Sequence, residues 1–533
     1  MHRMKKFLLV AVVFRLALSG TALVAEQDSN LVINGGFEDG LKGWQTTGNV
    51  HLETNSPLDG KVSAVIGPGT GLLRQRIETG SGNAFTVSAT IQSQRTNGWV
   101  LALHFLDRDG REVMKVDSIN DIKPGKQDPR KFDHYMQPHP LTKWVEIMIS
   151  KVSSGGSVLV DQVGLDMPDE NAAGLQPACD LNQAMQPFWL GKKINNEAVL
   201  MLSRNGQPAT GQLMFHPSRI ISVQDYGLMT NYTEGADYTV DGRTLICSAS
   251  SRMPQRREED LLKGEFKWNV VGGKQVMVTY EYKDAWNHPY PQFTGDRLPQ
   301  TMKKLESHGP LTVVAYGDSI THGYGESRLS HIRPFLPPWP ELFTQRLETI
   351  YQDRHIQLYN SSQSGATSQW GRDYAKRMVA SLNPDLVLIA FGQNDFWSVP
   401  ADAFANNITN IMNSVRDKNP SAEFLLVSTL RFDPAYTTNA QYWKRVGEYA
   451  IRLKAMTGPG VQFVDLTAIS EWVYGAKKPE DCLNDPLHPN DYFARWYAQS
   501  LVAALDPVSG QAPASTTTLR PHRILHNLVP TPQ

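Results

Sequence analysis

Cysteine is almost missing from this chain, with three residues in 533, at positions 179, 247 and 482. So few thiols exclude a disulfide scaffold, and the odd count leaves at least one over, although Cys179 and Cys247 could pair in an oxidising compartment. No His-Glu-x-x-His and no paired-cysteine spacing occurs, so a catalytic metal has no support. An excess of charge is missing too: 52 basic residues face 53 acidic ones, without a long run of either sign. That balance gives no reason to expect a nucleic-acid or membrane-surface partner. Beyond the amino terminus no segment offers the roughly 20 apolar residues that a spanning helix needs.

The amino terminus begins Met-His-Arg-Met-Lys-Lys and continues through an apolar stretch, interrupted at Arg15, to small residues at 25. It reads as a secretory signal peptide over 1–25, placing the mature chain outside the cytoplasm, secreted or periplasmic. A length of 533 residues exceeds what one core organises. From 26 to 170, short alternating runs at 85–92, 99–106 and 158–165 are broken by Gly, Asn and Asp turns, which argues a β-sandwich. A second β-rich stretch, 171–298, has runs at 197–203, 212–215, 220–224 and 275–282 and no chemical motif of its own. It closes on the aromatic stretch 286–293, read either as a connector packed on the next domain or as a plain linker. After 507 the tail 508–533 lacks periodicity and reads as disordered. Asn231, Asn360 and Asn407 head N-glycosylation patterns.

Between 299 and 507 the period changes. Apolar strand candidates at 311–316, 356–359, 386–391, 424–429 and 461–466 alternate with amphipathic stretches such as 341–351 and 442–454. Five such units predict a three-layer α/β domain with a parallel sheet and right-handed crossovers. Ligands of such sheets bind beyond the carboxyl ends of the strands. Directly after the first candidate comes Gly317-Asp318-Ser319-Ile320-Thr321, a serine on a tight turn. Gly365 follows the second candidate, Gly392-Gln393-Asn394-Asp395 the third, and Asp485-Pro486-Leu487-His488 the fifth. Residues about 170 positions apart are thus expected on one edge.

These four ordered blocks resemble the SGNH, or GDSL-type, hydrolase superfamily, with Ser319, Gly365, Asn394 and His488 as the four residues of its name. The resemblance implies a flavodoxin-like catalytic domain with a five-stranded parallel sheet, preceded here by two β-sandwich domains. It also implies ester hydrolysis without a cofactor, and an oxyanion hole made of the Ser319 and Gly365 amides and the Asn394 side chain. The run Asn30-Leu-Val-Ile-Asn-Gly-Gly-Phe-Glu-Asp-Gly-Leu-Lys-Gly-Trp44 resembles the opening of jelly-roll carbohydrate-binding modules. By that resemblance Glu38 and Asp161 share a structural calcium, and Trp44, Trp99 and Trp144 are candidate sugar-stacking platforms, although core packing is the favoured reading for each taken singly.

The residue types fit the chemistry. A serine hydroxyl needs a base to take its proton, and an imidazole, with an unperturbed pKa of about 6.5, serves as base and then as acid. His488 is the candidate, with Asp485 three positions earlier to fix its tautomer. His322 is too close to Ser319 along one loop to be oriented from behind, while His331 and His355 read as solvated. Asp318 and Asp395 read as loop ties. The Gly-x-Ser-x-Gly elbow is not met, because position 321 is threonine.

The expected function is a secreted serine esterase removing small acyl groups, acetyl foremost, from a glycan. One alternative is a lipase, lysophospholipase or thioesterase, with Phe335, Leu336 and Trp339 available for an acyl channel. The other is a non-catalytic glycan-binding protein. Since every catalytic candidate lies beyond Leu311, the first domain is expected to be dispensable for small soluble esters. The oligomeric state has no sequence signature here.

Overall fold

In the computed structural model, residues 30–512 are described except 80–84, 95–97, 120–129, 137, 152–153, 167–175, 263–272, 331, 353–354 and 437–438. The expected signal peptide and most of the expected tail lie outside that set.

The first domain is one antiparallel sheet of eight strands folded on itself. The fold follows from the long strand Ser63–Glu78, whose first half pairs with Ser157–Asp166 and whose second half pairs with Trp144–Lys151. Two layers result, and their apolar inner positions meet: Phe85, Val87, Ala89 and Ile91 from one, Leu101, Leu103, Phe105, Ile147 and Ile149 from the other. The strands Phe85–Gln94, Trp99–Leu106 and Ser157–Asp166 fall where the alternation placed them.

The second domain has a five-stranded and a four-stranded sheet. Two of its expected runs are resolved differently. The run 197–203 is split, with Lys193–Val199 in the four-stranded sheet and Leu202–Ser203 in the other. The run 212–215 leaves its strand at Gln212, and the amides of Met214 and Phe215 turn to the Glu197 carboxylate and the Tyr280 hydroxyl. A buried loop that satisfies its amides with side chains reads in sequence like a strand.

The third domain carries the parallel sheet, in the order Ile356–Asn360, Leu311–Gly317, Leu386–Ala390, Glu423–Val427, Val461–Val464. Its middle strands are buried on both faces, as parallel strands between helical layers must be. The helices Trp339–Tyr351 and Ala440–Ala455 extend the expected stretches by a few residues.

Alternation along Leu311–Gly317 sends Val313 and Ala315 into one apolar cluster and Val314 and Tyr316 into another. The first cluster is continuous with the second domain, and the second with the interior of the first domain. The first domain also meets the catalytic domain through polar contacts. His139, buried in the first domain, reaches Ser361 Oγ at 3.0 Å. Burial pushes its pKa down to about 4, so the ring is neutral. The second domain is clamped by the buried Arg495, which donates to the carbonyls of Asn195 and Asn196, and by the buried ion pair of Lys477 with Glu197.

The connector packs: Trp286 is buried against Trp472 at 5.3 Å between ring centroids. Residues 508–512 correct the expectation of a loose tail. Ser509 is buried, its amide bonds to Asp506, and its carbonyl accepts from Trp189 Nε1 at 2.8 Å. All three cysteines are free, which answers the open question of Cys179 and Cys247: they do not pair. Cys247 ends the strand Thr244–Cys247 in the second domain's core, whereas Cys179 lies near Arg495 of the catalytic domain. Among the described residues no helix is long and apolar enough to cross a membrane.

Candidate active site

Gly317 ends the first strand of the parallel sheet where no other residue fits, since a Cβ there would stand 2.2 Å from Thr321 Oγ1 and 2.3 Å from Ala390 O. The chain then enters a single helical turn, Ser319–His322, which Gly323 closes in a left-handed conformation at φ 101°. Asp318 caps that turn by accepting from the Ile320 amide at 3.0 Å, and its other oxygen accepts from the Gln393 amide at 3.3 Å. Burial pushes the Asp318 carboxyl up to about 7. This aspartate ties the nucleophile turn to the third block, the structural part expected of it.

The five residues converge on the carboxyl edge of the sheet. Ser319 Oγ lies 2.8 Å from His488 Nε2, and His488 Nδ1 lies 2.9 Å and 3.0 Å from the two Asp485 oxygens. A carboxylate only accepts, so Nδ1 carries the hydrogen and Nε2 presents its lone pair to the serine hydroxyl. Asp485 is itself fixed, because Oδ1 also accepts the amides of Leu487 and His488. All three side chains are at least nine-tenths buried, so their mutual hydrogen bonds are little weakened by water.

Gly365 adopts φ +77°, and a Cβ there would meet nothing within 4 Å. Glycine is needed for the backbone conformation, and the space beside it is open. Asn394 Nδ2 donates one hydrogen to Ala366 O at 3.0 Å, which orients the amide and leaves the second hydrogen available. Neither the Ser319 nor the Gly365 amide donates to a protein acceptor among the described residues. Asp395 binds the amide and hydroxyl of Ser368 at the start of the helix Ser368–Met378, and burial pushes its carboxyl up to about 6.

His322 turns away, with Nδ1 3.4 Å from Ser362 O, and burial lowers its pKa. His331 lies outside the described residues. Two further residues were not singled out in the sequence. Gln393 donates to Leu487 O at 3.1 Å and accepts from Thr429 Oγ1 at 2.8 Å, joining the histidine loop to the loops after the third and fourth strands. Tyr324 packs against His488, with ring centroids 4.5 Å apart and planes tilted by 55°, and is 50% exposed. The only sequence signal for either was its place inside or just after a block.

Several other candidates are placed by the structure. Trp44 and Trp99 are buried in the sandwich core, so neither offers a face to a sugar; Trp144 is half-buried. Leu336 and Trp339 are buried as well, with Trp339 Nε1 donating to Ile320 O in support of the nucleophile turn, while Phe335 is half-buried. Asn407 is buried against Ser368 Oγ and Asn360 binds Thr321 O, which leaves Asn231 as the exposed glycosylation position.

Glu38 and Asp161 do converge on one loop, residues 59–63. They hold it through donors: Glu38 Oε1 accepts the Lys61 amide at 2.7 Å, and Asp161 Oδ2 accepts the Ser63 hydroxyl at 2.6 Å and the Asp59 amide at 3.1 Å. Amide and hydroxyl hydrogens face these oxygens where a shared cation would need further oxygen ligands. No group of three or more His, Cys, Asp or Glu suited to a metal occurs among the described residues. As arranged, the pair does not fit calcium.

Residues 315–496 match the GDSL-like Lipase/Acylhydrolase family. An arylesterase from Vibrio mimicus is 26% identical over 196 residues, covering 36% of this chain and 87% of that protein. A catalytic mutant of an acetylxylan esterase from Geobacillus stearothermophilus aligns at 18% identity over 37% of this chain and 94% of its own, with a TM-score of 0.31. A family 16 carbohydrate binding module aligns at 17% identity over 26% of this chain and 99% of its own, with a TM-score of 0.22. With the serine, glycine, asparagine and histidine blocks gathered on one sheet edge, the domain spanning 315–496 belongs to the GDSL-like, or SGNH, lipase/acylhydrolase family.

Proposed function

We propose that this chain is a secreted serine esterase that removes small acyl groups, acetyl foremost, from a glycan. The observation that carries the hydrolytic step is the hydrogen-bonded series Ser319, His488, Asp485. As Ser319 Oγ attacks the ester carbonyl, His488 Nε2 takes its proton, and the Asp485 carboxylate stabilises the imidazolium that forms. Negative charge on the carbonyl oxygen is met by the amides of Ser319 and Gly365 and the second hydrogen of Asn394 Nδ2. The tetrahedral adduct collapses, His488 returns the proton to the departing sugar hydroxyl, and an acyl-serine remains. Water, deprotonated by the same imidazole, then releases the carboxylic acid and restores Ser319. No cofactor enters any step.

The size of the acyl group is inferred from packing. Two of the three residues named for an acyl channel, Leu336 and Trp339, are spent on the core, and Phe335 alone is half-buried, which leaves little to line a channel for a long chain. The glycan is inferred from the rim. Tyr324 packs against His488, and Trp397, three residues after Asn394, is 41% exposed. Flat aromatic faces at a polar site suit the apolar faces of pyranose rings.

Acetate release across a panel of acetylated polysaccharides, run beside nitrophenyl esters of increasing chain length, tests the proposal. Release from at least one glycan with a preference for acetyl over octanoyl esters is expected. A preference for long acyl chains with no acetate release would make it a lipase or thioesterase.

A further inference from the structure

The loop that carries Gly365 is held from two sides, and one of them belongs to the first domain. On the catalytic side, the Ser361 amide donates to Ala315 O at 2.8 Å and the Gln363 amide to Gly317 O at 3.1 Å. On the other side the Gln363 side chain reaches the strand Glu112–Ile119, an edge of the first domain's sheet. Its Oε1 accepts the Lys115 amide at 3.1 Å, and its Nε2 donates to Lys115 O at 2.7 Å. Lys115 pairs with His104 on one side, and its N–H and C=O, both bonded to Gln363, turn to the other, at the edge of the sheet. The side-chain amide of Gln363 takes the place of a neighbouring strand. Among side chains only asparagine and glutamine offer donor and acceptor together in this form, and glutamine has the longer reach.

What Gln363 holds bears on two of the three oxyanion donors. Gly365 is two residues on. The Ala366 amide donates back to Gln363 O at 3.1 Å, and Ala366 O is the acceptor that orients Asn394 Nδ2. His139 supports the same loop one turn earlier. Ser361 Oγ donates to Met378 O at 2.9 Å, so it must accept from His139 Nε2, while His139 Nδ1 accepts the Leu141 amide. A neutral ring with its hydrogen on Nε2 satisfies every one of these contacts.

We infer that the first domain is part of the esterase machinery, with Gln363 as a positioning residue that anchors the Gly365 and Asn394 donors to the backbone of Lys115. The inference rests on the oxyanion assignment above and gives the first domain a role besides glycan retention. A misplacement of about 1 Å at such donors costs up to roughly a hundredfold in rate.

Gln363→Ala is to be compared with Arg377→Ala, which removes a different bond across the same domain boundary, to Glu112 O. Turnover of 4-nitrophenyl acetate is one readout. Amide hydrogen exchange of residues 361–366 is the other, and it needs no turnover. Gln363→Ala is expected to lower kcat by roughly ten- to a hundredfold with KM within about twofold, and to speed exchange at 364–366. Arg377→Ala is expected to leave both near the parent. Unchanged exchange in Gln363→Ala, or faster exchange with kcat intact, overturns the inference. A parent that hydrolyses no ester refutes the esterase reading instead, and the exchange comparison still decides whether Lys115 holds the loop.

Discussion

Asn394→Ala tests the oxyanion assignment most directly. The side chain has two hydrogens on Nδ2, and the structure accounts for one, bound to Ala366 O at 3.0 Å. The second is the proposed donor to the developing oxyanion. Truncation to alanine removes that donor and also leaves Ala366 O one hydrogen bond poorer, worth about 1 kcal/mol of stability, which a three-domain chain tolerates. The transition state loses more: removing one oxyanion donor costs roughly 2.7–4 kcal/mol, or about a hundred- to a thousandfold in kcat. A neutral substrate carbonyl gains little from the same donor, so KM should stay within about threefold. Steady-state kinetics on 4-nitrophenyl acetate, with circular dichroism to confirm folding, measures both. A raised KM with kcat intact would mean that Asn394 binds substrate and that the hole is built from other donors.

Ser319→Ala should reduce turnover to below about a thousandth and abolish labelling by a fluorophosphonate, with thermal unfolding unchanged, since one hydroxyl is removed; a labelled variant would move the nucleophile elsewhere. His488→Ala should cost more than Asp485→Ala, because the imidazole moves the proton and the carboxylate orients and stabilises it; equal or inverted losses in kcat would contradict that division. Stability should fall as pH rises from about 6.5 to 8. Burial raises the carboxyls of Asp318 and Glu480 to about 7 and of Asp395 and Asp491 to about 6. Their stabilisation is complete below the unfolded value near 4 and is lost as pH climbs through the folded values, whereas the opposing contributions of His139, His322 and His288, all lowered by burial, near completion about one unit above the unfolded value of about 6.5, so the fall is clearest in the upper half of the interval; a melting temperature that rises there would refute the sign. Deleting residues 26–170 should lower activity on small soluble esters as well as on polysaccharide, because the deletion removes Lys115 and His139, which hold the loop 361–366; a soluble remainder with the parent's kcat would show that this support is dispensable.

The catalytic domain was legible because its physics is local. Strands buried on both faces, such as Leu386–Ala390, read as continuous apolar runs, and each chemical block follows its strand directly. The convergence of Ser319, Asn394 and His488 then follows from the parallel order of the sheet. The second domain was less legible, because a run such as 197–203 carries no mark of the break that sends its two halves to different sheets. Trp44 and Trp99 could not be placed from sequence, since a tryptophan at a strand end serves a core or a binding face equally well. The union of the first domain with the catalytic domain was illegible for a different reason. It depends on single polar contacts, Gln363 with Lys115 and His139 with Ser361, between residues more than 200 positions apart, and no periodicity announces them.

The strand Leu311–Gly317 lies between two apolar layers. Its side chains alternate, so Val313 and Ala315 are covered on the side continuous with the second domain, and Val314 and Tyr316 on the side continuous with the first. Its last residue, Gly317, is pressed between Thr321 and Ala390 and delivers Ser319 to the edge. The loops around the nucleophile are divided in the same way. The Gly365 loop leans on the first domain through Gln363, while the His488 loop leads into the helix Asp491–Leu505, which Arg495 fastens to the second. Loosening the first domain should therefore disturb the oxyanion donors before the base, and loosening the second should disturb the base before the oxyanion donors. The two β-domains thus hold opposite halves of one reaction centre.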